Sequence, residues 1–515
     1  MSRRHAWGHA PLGVACVRVV VSRQVIAPMS VQYFLQGKIL GIEQFLLSGD
    51  GGAGDGSGER VLAGRSHWVT LLSEVLPRAL LAELGLAKIL LGSSGGGQFL
   101  VVIPTEVVPQ AGEFLAAADR QVQEMSAGHL KLVWAGTENL GDWSDVRKRL
   151  TENMNRQRSA LLSGEPNGAF APFAAPDTAA YDGYFAEEMF RRLRDASSVG
   201  WSPENPARVE IDGGKHKWSL GPGFDDIPLA RHVAMDDDGQ IPATPAMLAE
   251  RAEGRQVWGV LRGDVDNFGI RLRRAQTIEE HIQLSVIFKR WFAGELQAAS
   301  VMPDYWRKVT VLYSGGDDFA VYGSWDSLIA MAREMERLFH LLAEATLKEF
   351  PGPEGKTITM ALALAPHAGA SLASVFEDAG QKLEIAKCAA KDGFYLLGRT
   401  LEWKVVGDAA EMKEIMARMV NEFGVSPQFL GEIGFFYRDS NRMTVRTGRS
   451  RTDRFDKPWR FQRRLNRVLG TTRDRELQKL RNSLMNEFVG KNMAQVKLRP
   501  SGRVALEWAT LLTEA

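Results

Sequence analysis

The sequence predicts an α+β protein in which a ferredoxin-like β-α-β-β-α-β unit occurs twice. The first observation is an order of strand, helix, hairpin and helix that recurs in two regular regions of the chain. The second is a local likeness between these regions. YFLQGKILGIEQF (residues 33–45) takes the place of VLRGDVDNFG (residues 260–269), and LLGSSGGGQFLVV (residues 90–102) takes the place of VLYSGGDDFAVYG (residues 311–323).

The elements of each unit follow from local periodicity and turn residues. In the first unit, apolar residues at helical spacing predict helices over residues 66–84 and 111–125, on either side of a hairpin at residues 87–104. The glycine-rich residues 48–60 indicate a flexible loop. In the second unit the same criteria predict strand, helix, hairpin, helix, strand and helix, in that order, at residues 258–269, 277–296, 311–323, 325–350, 356–366 and 371–391.

Composition divides the rest of the chain. Proline, glycine and isolated aromatic residues indicate a small connecting domain between the two units. The apolar stretch PLGVACVRVVV (residues 11–21), interrupted by Arg18, indicates a frayed extension or a first strand rather than a signal peptide. The predicted parts are an N-terminal extension, a first unit, a connecting domain, a second unit and a basic C-terminal helical domain, at residues 1–30, 31–150, 151–254, 255–407 and 408–515.

Overall composition excludes several classes of protein. A length of 515 residues, with 45% apolar and 24% charged residues, is typical of a soluble globular protein of three or four domains. The 63 basic and 62 acidic residues nearly balance, so any nucleic-acid binding must come from local patches. Cys16 and Cys388 are too few for a four-ligand zinc site or a disulfide framework. No apolar run is long enough to span a bilayer, and we expect a cytoplasmic protein.

The two units differ in their acidic residues. Where the second unit has Asp264, the first has Lys38. Where the second has Asp317 and Asp318, the first has Gly97 and Gln98. One copy thus keeps its carboxylates and the other has none, which suggests one catalytic and one supporting copy.

The acidic copy has the residues of a metal-dependent nucleotidyl-transfer site. Asp264 ends a strand, and the fold brings that strand beside the hairpin that carries Asp317 and Asp318. Carboxylate oxygens suit Mg²⁺ or Mn²⁺, and two such ions about 3.5–4 Å apart activate a hydroxyl and neutralise a leaving pyrophosphate. Gly315 and Gly316 allow a tight turn and close approach of a nucleotide.

Two lysines could complete this site. Lys387 and Lys391 are predicted at i and i+4 on one helical face, where they could neutralise a triphosphate.

Each residue also has a structural interpretation. A Gly-Gly-Asp-Asp turn can be a solvated turn, and the lysines can be surface residues. Asp264 could be a helix N-cap, and Asp266 is a better candidate for a cap than for a metal ligand. The combination of GDVDNF, SGGDDF and AKxxxK at these spacings is far more specific than any one motif. It favours a polymerase-like or cyclase-like palm.

The combination resembles the large, polymerase-like subunit of type III CRISPR effector complexes. LRGDVDNFG, YSGGDDFAVYG and AKCAAKDGFYLLGRTLEW are similar to that family's second palm domain. GKILGIEQFLLSG, LAGRSHWVTLLSE and SSGGGQFLVVIP are similar to its first palm, and the resemblance spans about residues 32–403.

The resemblance implies that the two palms bind two ATP molecules and join them 3′ to 5′ into cyclic oligoadenylate after target RNA is captured. By position, Asp264, Asp317 and Asp318 would hold the metals. The remaining nucleotide contacts implied by the resemblance are Ser314, Gly315, Gly316, Lys387 and Lys391 in the second palm and Ser94, Gly95 and Gly96 in the first. Implied partners are the backbone and small helical subunits of the complex, the guide RNA and the target RNA.

The sequence departs from the family pattern at two places. Many members carry an N-terminal nuclease domain with a His-Asp site, whereas this sequence contains no His-Asp dipeptide. We therefore expect no single-stranded DNase activity. Many members also have a four-cysteine zinc site between the palms, but residues 151–254 contain no cysteine, so we expect no zinc.

The C-terminal domain contains an arginine-rich stretch at residues 442–482 with interleaved aromatic residues. Arginines can hold phosphates while aromatic rings stack on unpaired bases, which would make this stretch an RNA-binding surface. A solvated helical face with an aromatic core stripe is an equally good interpretation. The candidate RNA-binding residues are Arg449, Arg451, Arg460, Arg463 and Arg464.

Three functions remain open on the sequence. The first is a cyclic-oligoadenylate synthase within an RNA-guided complex. The second is a GGDEF-like cyclase that makes cyclic dinucleotides from GTP, which the acid-free first palm disfavours. The third is a catalytically silent scaffold, which the intact acidic residues disfavour.

Overall fold

The structure is a computed structural model. It describes residues 31–48, 57–163, 178–223, 225–389, 391–447, 458–470, 472–489 and 499–514. The N-terminal extension and most of the glycine-rich loop lie outside these residues. The helix after that loop begins at Ser57, inside the stretch predicted to be loop.

The first unit is a four-stranded sheet in the order β2-β3-β1-β4. Its strands are β1 (Gln32–Leu40), β2 (Leu91–Gly95), β3 (Gln98–Pro104) and β4 (Lys131–Glu138). Its helices are α1 (Ile42–Leu47), α2 (Ser57–Glu83), α3 (Val108–Met125) and α4 (Trp143–Ser163). Helix α4 continues past the boundary predicted at residue 150.

The connecting region contributes short helices and a small sheet. A helical segment comprises α5 (Asp182–Tyr184), a π-helical stretch Phe185–Arg192 and α6 (Leu193–Asp195). A three-stranded sheet and one more helix follow, namely β5 (Ser198–Trp201), β6 (Glu210–Ile211), β7 (His216–Ser219) and α7 (Pro245–Glu250). Phe185 and Trp201 are buried together with Trp68 of α2, so much of this region shares one core with the first unit.

The second unit is a six-stranded sheet in the order β13-β12-β11-β8-β10-β9. Its strands are β8 (Trp258–Val265), β9 (Val309–Ser314), β10 (Asp318–Ser324), β11 (Ile358–Leu364), β12 (Gly393–Leu396) and β13 (Arg399–Glu402). Its helices are α8 (Phe268–Arg274), α9 (Ile278–Ser300), α10 (Trp325–Ala345) and α11 (Leu372–Ala389).

The C-terminal region is helical, as predicted. Its helices are α12 (Trp403–Asn421), α13 (Gln428–Thr447), α14 (Pro458–Leu469), α15 (Arg475–Val489) and α16 (Pro500–Thr513). Trp508 of α16 and Met416 of α12 belong to the same core as the second sheet, so these helices pack on the second unit.

The predicted duplication is confirmed by strand order and register. Strands β9-β10-β8-β11 repeat the order β2-β3-β1-β4. In both units a glycine on the central strand lies opposite a phenylalanine, Gly37 with Phe99 and Gly263 with Phe319. A Cβ on Gly37 would lie 2.2 Å from the Phe99 ring, and one on Gly263 would lie 2.3 Å from the Phe319 ring. The same ring fills the same space in each copy.

The two units face each other through their hairpins. A Cβ on Gly96, at the tip of the β2–β3 hairpin, would lie 2.9 Å from the backbone nitrogen of Gly316 in the second hairpin. Helix α2 of the first unit contacts β9, and α9 of the second contacts β2. This reciprocal packing places both hairpin tips at one interface. None of the helices described is long and apolar enough to cross a membrane.

Candidate active site at the paired hairpins

The sheet register brings the predicted acidic residues together. Asp264 at the end of β8 lies directly opposite Asp318 at the start of β10. Asp317 precedes Asp318 in the turn, and its carbonyl accepts a hydrogen bond from the Val265 amide at 2.9 Å. All three aspartates are half-buried. The convergence expected from sequence is therefore confirmed at the level of the backbone.

Gly315 is required by the shape of this turn. Its amide donates a hydrogen bond to the Asp318 carbonyl at 2.8 Å. A Cβ at this position would lie 2.0 Å from an Asp318 carboxylate oxygen. Any larger residue would therefore displace the Asp318 side chain.

Lys387 neutralises one of the acidic residues. Its ammonium lies 2.9 Å from an Asp264 carboxylate oxygen, which places the end of α11 beside the site. Lys391 does not share its helical face, because α11 ends at Ala389. Lys391 donates a hydrogen bond to the Asn267 side chain instead. The prediction of a paired i, i+4 face is therefore wrong, and of the two lysines only Lys387 contacts an acidic residue of the site.

Burial and mutual repulsion raise the pKa of the acidic residues. Burial first, and then the charges of Asp318 and Asp264, raise the pKa of Asp317 to about 7, although Lys387 and Lys38 oppose this change. The pKa of Asp318 is raised to about 6, mainly by burial. Burial also raises the pKa of Asp264, against the opposing charge of Lys387. The site therefore gathers carboxylates that are costly to ionise without further positive charge.

The donor set fits a hard divalent cation, because carboxylate oxygens are the ligands that Mg²⁺ and Mn²⁺ prefer. In the structure, the Asp264 carboxylate forms an ion pair with Lys387, and the Asp318 carboxylate accepts a hydrogen bond from Tyr313. In the described part of the chain, no three acidic, histidine or cysteine side chains are already arranged around one metal position. Metal binding would thus require Asp264 to exchange Lys387 for the ion, whereas Asp318 can keep its Oδ2 hydrogen bond to Tyr313 and bind the ion through Oδ1.

The two hairpins differ at their serines. The Ser314 hydroxyl is buried without a hydrogen-bond partner, as expected for a group that a ligand completes. The equivalent Ser94 hydroxyl donates to Glu74 at 2.8 Å and lies 3.1 Å from the Lys289 ammonium. The Ser94 hydroxyl is therefore already hydrogen-bonded within the protein. Gly95 and Gly96 lie at the interface beside Lys289 and Gly316.

A buried ionic cluster behind Ser94 was not found from sequence. Glu74 of α2 is 2% exposed. Its carboxylate lies 3.2 Å from the Lys289 ammonium of α9 and 2.6 Å from the Arg78 guanidinium. Burial opposes ionisation of Glu74, but Lys289 and Arg78 outweigh it and lower its pKa to about 2. The ion pairs of this cluster connect the two units, and no sequence motif indicates them.

Register confirms the predicted replacements in the first unit. Lys38 lies opposite Gln98, as Asp264 lies opposite Asp318. Lys38 is half-buried and near enough for its charge to lower the pKa of Asp317. The first unit therefore brings a cation, instead of a second carboxylate pair, to the shared interface.

Asp266 is not a helix cap. Asn267, at φ 59°, occupies the N-cap of α8, at the position where the first unit has Gly41 at φ 84°. The Asp266 carboxylate is buried and accepts hydrogen bonds from the Thr357 and Thr359 hydroxyls and from the Asp392 amide. Asp266 therefore joins its own turn to the start of β11 and to the loop before β12, and its carboxylate is committed to these contacts.

The candidate RNA-binding arginines are only partly described. Arg449 and Arg451 lie outside the described residues, and only the backbone of Arg460, within α14, is described. Arg463 is exposed. Arg464 is exposed too, but it forms an ion pair with Glu432 at 2.7 Å and lies 4.7 Å from the centre of the Phe435 ring. RNA binding by this stretch stays a prediction.

The second unit matches a known family. Residues 257–395 match the model of Cas10/Cmr2, second palm domain. One curated relative is the CRISPR system single-strand-specific deoxyribonuclease Cas10/Csm1 (subtype III-A) of Enterococcus italicus, 31% identical over 105 residues. A protein of the same description from Mycobacterium tuberculosis is 30% identical over 117 residues. The matched stretches cover 18% and 19% of this chain but only 13% and 14% of the relatives.

Solved structures share the fold of nearly the whole chain. The crystal structure of the apo Csm1–Csm4 cassette superimposes with a TM-score of 0.69 at 16% identity, over 94% of this chain and 70% of that one. The cassette in complex with cA4 gives 0.67 at 17% identity, over the same shares of the two chains. The Csm1–Csm4 subcomplex of the type III-A CRISPR-Csm interference complex gives 0.65 at 16% identity, again over 94% and 70%. These likenesses confirm the predicted α+β fold with two palms.

Proposed function

We propose that this chain is the polymerase-like subunit of a type III CRISPR complex and condenses ATP into cyclic oligoadenylate. The proposal is supported by the match of residues 257–395 to the Cas10/Cmr2 second palm domain and by the fold shared with Csm1. The observation that carries the proposal is the cross-strand pair Asp264 and Asp318, with Asp317 beside it, facing the acid-free hairpin of the first palm. One palm supplies carboxylates and the other supplies a surface, so the pair forms one composite site.

In this reaction the 3′-hydroxyl of one ATP attacks the α-phosphorus of the other. A phosphodiester bond forms, the bond to pyrophosphate breaks, and the hydroxyl proton passes to solvent. Asp264, Asp317 and Asp318 would hold Mg²⁺ or Mn²⁺. When bound, these ions favour the attacking alkoxide and neutralise the leaving pyrophosphate.

The other residues of the second hairpin would position the nucleotide. The unpartnered Ser314 hydroxyl would contact it, and Gly315 and Gly316 let it approach the backbone. Lys387, once released from Asp264, would face its phosphates. We further propose Csm4-like and other type III subunits, guide RNA and target RNA as partners, because the structural neighbours include Csm1–Csm4 assemblies.

The test uses this chain assembled with its guide RNA and the other complex subunits. ATP or GTP is added with Mg²⁺, with and without matched target RNA, and products are separated by mass. We expect cyclic oligoadenylate only with ATP and target RNA. A product from GTP without RNA would instead support a GGDEF-like cyclase, and no product would support a silent scaffold.

A further inference from the structure

The Asp318 carboxylate is hydrogen-bonded to a tyrosine that has no role in the chemical steps of the proposed reaction. The Tyr313 hydroxyl donates a hydrogen bond to Asp318 Oδ2 at 2.9 Å. This contact fixes the orientation of the carboxylate. Residues that hydrogen-bond to a metal-ligating carboxylate typically orient it for the metal in this way.

Tyr313 is in turn connected to Arg262 on β8. Arg262 Nη2 lies 3.4 Å from the Tyr313 hydroxyl, and its guanidinium lies 4.2 Å from the centre of the Phe376 ring. Gly380 of α11 leaves room for this guanidinium, since a Cβ there would lie 2.7 Å from Arg262 Nη1. Arg262 is therefore confined to one orientation behind the tyrosine.

The connection continues into the first palm. Arg262 Nη2 also donates to Glu43 Oε1 at 2.8 Å, and Glu43 lies in the first turn of α1. A row of three side chains, Glu43, Arg262 and Tyr313, thus leads from the first palm to an aspartate of the second. We call this row the Glu43–Tyr313 chain.

Comparison with the first palm indicates that Arg262 and Tyr313 occur together with the acidic residues and are not required by the fold. By strand register, Gln36 takes the place of Arg262 and Ser93 takes the place of Tyr313. Gln36 has no charge with which to pair with a glutamate, and the short Ser93 side chain cannot take the place of the tyrosine hydroxyl. The structural pairs Gly37–Phe99 and Gly263–Phe319 are present in both copies, whereas the arginine and tyrosine occur only beside the carboxylates.

We propose that Tyr313 is a positioning residue for Asp318, and that Arg262 and Glu43 make metal binding at the second palm depend on contact with the first palm. The inference rests on the proposed function only in taking Asp318 as a metal ligand. Tyr313→Phe removes the donor and keeps the ring.

The test measures Mn²⁺ affinity of the purified full chain by electron paramagnetic resonance of the free ion. We expect Tyr313→Phe to weaken binding at least about tenfold. Glu43→Gln should weaken it by about two- to fourfold, because Glu43 is half-exposed and acts at a distance. The double variant should bind no more weakly than Tyr313→Phe, since both changes act through one hydroxyl.

Tyr322→Phe is the matched control, because Tyr322 is a buried tyrosine on the same strand as Asp318. It lies opposite Val260, not opposite Asp264. It should bind Mn²⁺ as the unmodified chain does, and far-ultraviolet circular dichroism verifies that each variant is folded. Tyr313→Phe with unchanged affinity would overturn the positioning role. Glu43→Gln with unchanged affinity would overturn the link to the first palm. Failure of the unmodified chain to bind Mn²⁺ better than Asp317→Asn/Asp318→Asn would instead count against the proposed function.

Discussion

Replacing Asp317 and Asp318 together with alanine is expected to reduce nucleotide condensation to background while the protein stays folded. The reason is that both carboxylates are proposed metal ligands, and the fold does not depend on them. The first palm forms the same hairpin with Gly97 and Gln98 at these positions. Product formed from radiolabelled ATP by the assembled complex measures the effect, and binding of target RNA should be unchanged.

Another pair of adjacent aspartates provides the control. Asp225 and Asp226 lie in the connecting region, where Asp225 pairs with Lys88 and Asp226 accepts from the Gly223 amide. Asp225→Ala/Asp226→Ala should leave condensation near the unmodified rate. Synthesis that persisted in Asp317→Ala/Asp318→Ala would show that the metal is held elsewhere.

The second large effect is expected on stability. Glu74→Gln should lower the free energy of unfolding by about 3 kcal/mol, because it leaves two partly buried cations without a carboxylate. Lys289 comes from the second palm and Arg78 from the first, so the loss weakens the junction between them. Denaturant unfolding monitored by tryptophan fluorescence measures this loss.

The effect of Glu74→Gln should depend on pH with a definite sign. The pKa of Glu74 is lowered from 4.5 to about 2 in the folded protein. A lowered pKa means that the stabilisation is fully present above about pH 4.5 and is lost as the pH falls toward 2. The difference between the unmodified chain and the variant should therefore be constant from about pH 6 to pH 8 and shrink in acid.

Glu188→Gln is the corresponding control at the surface. Glu188 forms an i, i+4 ion pair with Arg192, whose side chain is 54% exposed. Removing such a pair should cost no more than about 1 kcal/mol. If Glu74→Gln were no more destabilising than Glu188→Gln, the buried cluster would not stabilise the junction between the palms.

The repeated fold could be predicted because its signals are local. Strand and helix periods, and the glycines of both hairpins, lie in short stretches that recur in the same order. The acids could also be assigned to one copy, because Asp264 and Lys38 occupy matching positions before each turn.

What could not be predicted depends on distant contacts. Glu74 and Lys289 are 215 residues apart, and Glu43 and Arg262 are 219 apart, so neither pair has a sequence signature. The face of Lys391 was predicted wrongly because helical spacing does not show where α11 ends. Asp266 resembled a cap because its partners, Thr359 and Asp392, come from strands and loops far along the chain.

In the proposed composite site, the second palm alone holds the metals. A crystal structure of the chain with Mn²⁺ and a non-hydrolysable ATP analogue tests it most directly, by anomalous scattering at the manganese edge. We expect manganese bound by Asp264, Asp317 and Asp318, with Lys387 moved from Asp264 to the phosphates. Manganese at the first-palm hairpin, or Lys387 still paired with Asp264 and no manganese at the three aspartates, would overturn this assignment.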